Sequence, residues 1–242
     1  MADQASLPVV LVSDWGMPVT LLDGLVGEET EVHSLVPGEG GLNPEDEPRD
    51  WLARVLPTLP ESALWVGWSL GGQLAMEAAR QWPQRVAGVV TMASTPCFVA
   101  APDWPEGMPE TRFRGFHDQL QSSASATLTH FHKLMVQGDE RLREVRRALR
   151  AQETETAVAA PTLARTLQWL GELDQRRLWR DSPVATWHLY GGRDPLVSGA
   201  TPRSLGLDPQ RWQGIEGMAH WPGGPRAQEI RLLIDEFRKQ LT

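Results

Sequence analysis

A serine hydroxyl is a poor nucleophile until a base takes its proton. The chemistry to look for in this chain is therefore a serine, a histidine and a carboxylate that a fold could gather. Gly67-Trp68-Ser69-Leu70-Gly71 supplies a serine with a glycine two residues to either side. A buried run, Ala63 to Gly67, precedes it, and an alanine-rich helical pattern, about Gln73 to Gln81, follows. That context predicts a sharp strand-to-helix turn that lifts the hydroxyl of Ser69 above a sheet. Such a turn is strained, and the glycines let strand and helix approach closely enough to make it. The helix N-terminus behind the serine favours the negative charge that develops in acyl transfer. The plainer alternative is a serine that merely caps a helix.

Where a serine occupies such a turn, an acid and then a histidine follow it in the chain. Asp194, in Tyr190-Gly191-Gly192-Arg193-Asp194-Pro195, comes after the strand-like run Val184 to Tyr190. It should lie at the carboxyl end of a strand, where open α/β sheets carry their sites. Asp174, Asp181 and Asp208 compete, but none directly follows a strong strand. His220, in Gly217-Met218-Ala219-His220-Trp221-Pro222, has small neighbours that let an imidazole reach over the sheet. His33 and His188 fall in strand-like runs, and His117, His130 and His132 fall in a helical region. Ser69 is thus assigned as nucleophile, His220 as general base and Asp194 as the acid that orients it. Acyl transfer also needs donors aimed at the oxygen of the tetrahedral intermediate. The backbone N–H of Leu70 is one. That of Trp15, in the Ser13-Asp14-Trp15-Gly16 loop after the first strand, is the other.

Six runs read as the strands that position these groups: Pro8 to Val12, Glu31 to Leu35, Ala63 to Gly67, Val86 to Met92, Val184 to Tyr190 and Arg211 to Ile215. Helical patterns at Trp51 to Leu56, Gln73 to Gln81 and Pro225 to Leu241 alternate with them. Alternation of this kind predicts a mostly parallel sheet with helices on both faces. From Cys97 to Asp181 the alternation stops. A loop carrying Pro96, Pro102, Pro105 and Pro109 gives way to helical patterns only. The expected organisation is a core of residues 1–96 and 182–242 with a helical cap, 97–181, inserted between its halves.

Taken together, Gly67-Trp68-Ser69-Leu70-Gly71-Gly72, Trp15-Gly16, Tyr190-Gly191-Gly192-Arg193-Asp194 and Met218-Ala219-His220 resemble the BioH family. These are the pimeloyl-[acyl-carrier protein] methyl ester esterases of biotin synthesis, within the alpha/beta-hydrolase superfamily. The resemblance covers roughly residues 8–96 and 182–240. It implies the alpha/beta-hydrolase fold and a carboxylesterase that removes methanol from a carrier-bound pimeloyl chain through an acyl-enzyme on Ser69. It also implies that the side chains of Trp15 and Leu70 line the acyl pocket. Two departures stand out. Many relatives have His-Gly where this chain has Ser13-Asp14, so the oxyanion loop can be held differently. The two antiparallel strands that usually precede the first parallel strand are absent, which leaves about six.

Composition bounds the alternatives. The formal net charge of -8 speaks against a nucleic-acid or membrane-surface role. One cysteine, Cys97, allows no intrachain disulfide and suits a cytoplasmic protein. No metal motif is present: His130 and His132 stand two apart with no Cys or carboxylate to complete a set. No cofactor, no membrane anchor and a monomer are expected. Acyl-carrier protein, the partner that the resemblance implies, is acidic. Lys133 to Arg150 holds six basic residues against three acidic ones, and Arg143, Arg146, Arg147 and Arg150 share one side of a helix. This row either docks the carrier or is a solvated face. Other readings of the chain are a general short-chain esterase, a lactone or C–C bond hydrolase on the same triad, and a non-catalytic binding scaffold.

Overall fold

Continuous β-branched runs have no polar face to leave in water, so they become strands covered on both sides. The computed structural model describes residues 7–152 and 158–242, so residues 1–6 and 153–157 of the expected core and cap lie outside the described residues. The first half of the sheet runs β1 (Val9–Val12), β2 (Val32–Leu35), α1 (Pro48–Val55), β3 (Ala63–Trp68), α2 (Leu70–Gln81) and β4 (Val86–Met92). Among the described residues, five helices come before the sheet resumes: α3 (Glu110–Ser122), α4 (Ala124–Met135), α5 (Leu142–Ala151), α6 (Ala160–Glu172) and α7 (Arg176–Arg180). Then follow β5 (Ala185–Gly191), α8 (Thr201–Leu205), β6 (Trp212–Ile215) and α9 (Ala227–Lys239). Among the described residues no helix is long and apolar enough to cross a membrane.

The six strands form one sheet in the order β2-β1-β3-β4-β5-β6, and every pairing is parallel. Each strand begins and ends within one residue of its expected bounds. Side chains alternate across a strand, which places the helices. On one face of β4, Gly88 packs against Phe237 of α9 and the adjacent Leu241. On the other, Thr91 faces Gly72 of α2. The sheet is thus covered on both faces, and every residue of β1 and β3 is buried.

Helix starts depart from the sequence reading, for local reasons. Helix α2 begins at Leu70, directly on the serine turn, although Gly71 and Gly72 make that stretch a poor helix former. Helix α1 begins at Pro48 rather than at Trp51. Pro48 fits the first helical position, and Glu47 and Asp50 cap the start reciprocally. The terminal helix begins at Ala227, after a tight 3-10 turn over Gly224–Arg226.

Candidate active site

The sheet reverses its direction of growth at β1, which has β2 on one side and β3 on the other. Crevices at such reversals, beyond the carboxyl ends of the strands, are where open α/β sheets bind ligands. Val12 at the end of β1 lies opposite Gly67 of β3. The loops that follow, Ser13-Asp14-Trp15 and Ser69-Leu70, therefore emerge side by side.

Ser69 sits at φ 53° and ψ −114°, a conformation that costs a non-glycine residue on the order of 1–3 kcal/mol. Its surroundings hold it there. Its N–H donates to Met92 O at 2.9 Å, and Ser94 Oγ donates to its carbonyl at 2.6 Å. A Cβ at Gly67 would run into the carbonyl of Gly71, and one at Gly71 into the carbonyls of Val12 and Ser13. The glycine requirement read from the motif is thus a requirement for close backbone approach.

Asp194 follows β5, and its Oδ1 accepts from the backbone N–H groups of Leu196 (2.8 Å) and Val197 (3.0 Å). This leaves Oδ2 for His220, whose Nδ1 lies 2.8 Å away. Two of the three competing carboxylates are engaged elsewhere: Asp174 pairs with Arg176, and Asp208 caps the turn at Pro209–Arg211. His188 is no rival to His220 either. It is buried in β5, with Nδ1 against Thr91 Oγ1 and its ring stacked on Trp179. Burial, with Arg211 nearby, pushes its pKa down to about 3.

Three contacts that the sequence did not reveal hold the His220 loop. The N–H of His220 donates to Met135 O (3.0 Å) at the end of α4, and Trp68 Nε1 donates to the His220 carbonyl at 2.9 Å. Asp139 Oδ2 accepts from the N–H of Ala219 at 3.0 Å, while Arg226 pairs with the same carboxylate at 3.4 Å. Two of these three supports come from the segment between β4 and β5.

The two expected donors converge on one point, and that point is occupied by a residue of the chain itself. The N–H groups of Trp15 (2.6 Å) and Leu70 (3.3 Å) both donate to Asp14 Oδ1. Asp14 Oδ2 lies 3.3 Å from Nε2 of His220. Among the described residues, Ser69 Oγ and His220 share no hydrogen bond, although both line one cavity. Burial disfavours a charged imidazole, but Asp194 and Asp14 outweigh it, and the pKa of His220 is pushed up to about 10. Nothing in the sequence reading assigned Asp14 a part. The available signal was the departure from His-Gly at Ser13-Asp14.

The cavity measures about 170 Å³. Its wall is mainly apolar, with Trp15, Phe98, Phe113, Phe116 and Phe131 among its rings. The exposed residues Arg112 and His130 mark its open side. Trp15 lines it, held by its indole N–H to Leu163 O at 2.9 Å. Leu70 does not: its side chain is fully buried in the core, and only its N–H turns to the site. That half of the pocket expectation is corrected, because the residue after the serine is already the first residue of α2.

Arg143, Arg146, Arg147 and Arg150 lie on α5 and all four are exposed, while Val145 is buried. None lines the cavity that holds Ser69. Arg146 and Arg150 instead line a separate open groove with His132 and Lys133 of α4.

Comparison with known proteins bears on family and fold. The model of the alpha/beta hydrolase family matches residues 9–231. A pimeloyl-[acyl-carrier protein] methyl ester esterase from Aromatoleum aromaticum is 30% identical over 242 residues, covering 94% of this chain and 96% of that protein. One of the same name from Shewanella woodyi is 32% identical over 205 residues, covering 80% and 78%. Among solved structures, a bromoperoxidase from Bacillus anthracis superposes with a TM-score of 0.82 over 97% of this chain and 92% of that one, at 17% identity. That likeness speaks to fold alone.

Proposed function

This chain belongs to the alpha/beta hydrolase family and, within it, to the pimeloyl-[acyl-carrier protein] methyl ester esterases, and from that premise we propose that it hydrolyses the methyl ester of a pimeloyl chain carried on acyl-carrier protein, for biotin synthesis in the cytoplasm. The observation that carries the proposal is the convergence of two backbone N–H groups on one point beside a buried histidine-carboxylate pair. Donors in that arrangement stabilise the oxyanion of an acyl-transfer intermediate, typically by about 3–4 kcal/mol each.

In the proposed reaction His220 Nε2, in its neutral form, takes the proton from Ser69 Oγ as that oxygen attacks the ester carbonyl. The carbonyl oxygen becomes an oxyanion between the N–H groups of Trp15 and Leu70. Asp194 holds the imidazole by Nδ1 and stabilises its charged form. The imidazolium then gives its proton to departing methanol, and the acyl group remains on Ser69. A water, deprotonated by the same histidine, releases the free acid and restores the hydroxyl. Residues 97–181 act as a cap that closes the acyl cavity. The chemistry draws on no metal and no cofactor.

The carrier docks on the arginines of α5. Its acidic surface meets Arg143, Arg146, Arg147 and Arg150, whose forked donors suit carboxylates and phosphate. Reversing charge at Arg143 and Arg147 should lower kcat/KM for the carrier-bound ester, with turnover of a small soluble ester nearly unchanged. Equal losses on both substrates would count against docking. The function as a whole is tested in a biotin-requiring strain that lacks its own esterase. Wild type should restore growth without biotin and Ser69→Ala should not; failure of wild type, or rescue by both, would reject the proposal.

A further inference from the structure

A carboxylic acid product leaving a serine esterase sits with one oxygen between the oxyanion donors and the other on the imidazole. Asp14 reproduces that arrangement within the chain. Its Oδ1 accepts from the N–H groups of Trp15 and Leu70, and its Oδ2 meets His220 Nε2. The carboxylate is fully buried, as is the imidazole. We propose that Asp14 is a built-in product mimic that competes with the substrate carbonyl for the oxyanion hole and so sets which esters this enzyme accepts. The inference rests on the proposed role of Ser69 and deepens it.

Hydrogen bonds tie down the backbone around Asp14, so the proposed displacement is of its side chain. Ser13 N–H donates to Leu35 O, Ser13 Oγ donates to Met17 O, and Met17 N–H donates back to Asp14 O. Trp15 is tied to α6 through Leu163. While seated, Asp14 also engages the one imidazole nitrogen that Ser69 needs, and it helps keep that imidazole charged. The other charged groups around the imidazole are few. Asp194 lies at Nδ1, Asp139 lies behind Ala219 with Arg226 on it, and Arg112 and His130 line the cavity.

Displacing the carboxylate uses binding energy. A substrate with many contacts away from the ester can supply it, whereas a small ester cannot. Asp14 should therefore suppress small esters more than large, multiply anchored ones.

The test compares wild type, Asp14→Gly, Asp14→Ala, Asp14→Asn and Ser69→Ala on p-nitrophenyl butyrate, with butyrate as competitive inhibitor. If the vacated form is about one part in ten, Asp14→Gly and Asp14→Ala should raise kcat/KM about tenfold and tighten butyrate binding by a similar factor. Asp14→Asn should rise less, since an amide oxygen still fills the seat without the charge. In all three the acid limb of the kcat/KM–pH profile should move to lower pH. A residue that only holds the loop would instead lower kcat/KM and leave butyrate affinity and the pH limb in place, which would overturn the proposal. Should the smaller variants fail to fold, the isosteric Asp14→Asn decides by its pH limb. Turnover that depends on Ser69 but not on Asp14 would defeat this inference alone. Turnover that does not depend on Ser69 would defeat the nucleophile assignment and this inference with it.

Discussion

His220 lies between two carboxylates, Asp194 on Nδ1 and Asp14 on Nε2, and this sets its behaviour with pH. In the proposed reaction His220 is the general base and must be neutral to act, and its pKa is raised from an ordinary 6.5 to about 10. The ascending limb of kcat/KM for ester hydrolysis should therefore lie in the alkaline range, since kcat/KM reports the free enzyme. A limb near neutrality would contradict an imidazole held charged by Asp194 and Asp14 together. The same shift has a stability side. The folded imidazole is paired with carboxylates, so its contribution is fully present below about pH 6.5 and is lost as pH rises through about 10. That Ser69, Asp194 and His220 come to one region was legible because each lies beside a strand or among small residues in a particular order. Asp14 was not, because a turn aspartate reads the same whether it faces water or two converging N–H groups.

At the scale of elements, the strands were legible to within a residue because buried parallel strands carry nothing but apolar runs. The supports of the site were not, since they join residues far apart in sequence. Ala219 and Asp139 are 80 positions apart, and Trp68 and His220 are 152 apart. Tryptophan use follows the same logic. Trp15, Trp51, Trp68, Trp104, Trp169, Trp179 and Trp221 each donate an indole N–H, six of them to a backbone carbonyl and Trp179 to Gln175 Oε1. A large ring that buries its body and spends its one donor on a loop is a staple, which sequence composition alone cannot distinguish from packing. Asp139→Ala removes the acceptor of a buried N–H and one partner of Arg226, a loss of about 1–3 kcal/mol. It should lower Tm by several degrees and reduce kcat more than it raises KM, because the His220 loop loses its anchor. An unchanged kcat with a lowered Tm would limit Asp139 to a role in stability. Trp68→Phe removes the donor to the His220 carbonyl and part of a fully buried indole, so it should lower Tm by several degrees as well as reduce kcat.

The whole molecule carries a net charge of -8 and yet shows four exposed arginines on one short helix. Attraction to an acidic partner through such a patch weakens as salt screens it. Hydrolysis of a carrier-bound ester should lose kcat/KM steeply between low and physiological ionic strength, while a neutral small ester should show little change. A flat response on both would place the recognition of substrate in the cavity and not on α5. None of the four arginines lines the cavity, although residues of α4 line both it (His130, Phe131, Leu134) and the groove that Arg146 and Arg150 share (His132, Lys133). The most direct measurement is the mass of the carrier-bound chain after incubation with the enzyme. With pimeloyl-carrier methyl ester as substrate, wild type should convert the ester to the free acid, and Ser69→Ala should leave it intact. An ester that survives wild type, or an acid formed equally by Ser69→Ala, would contradict the account.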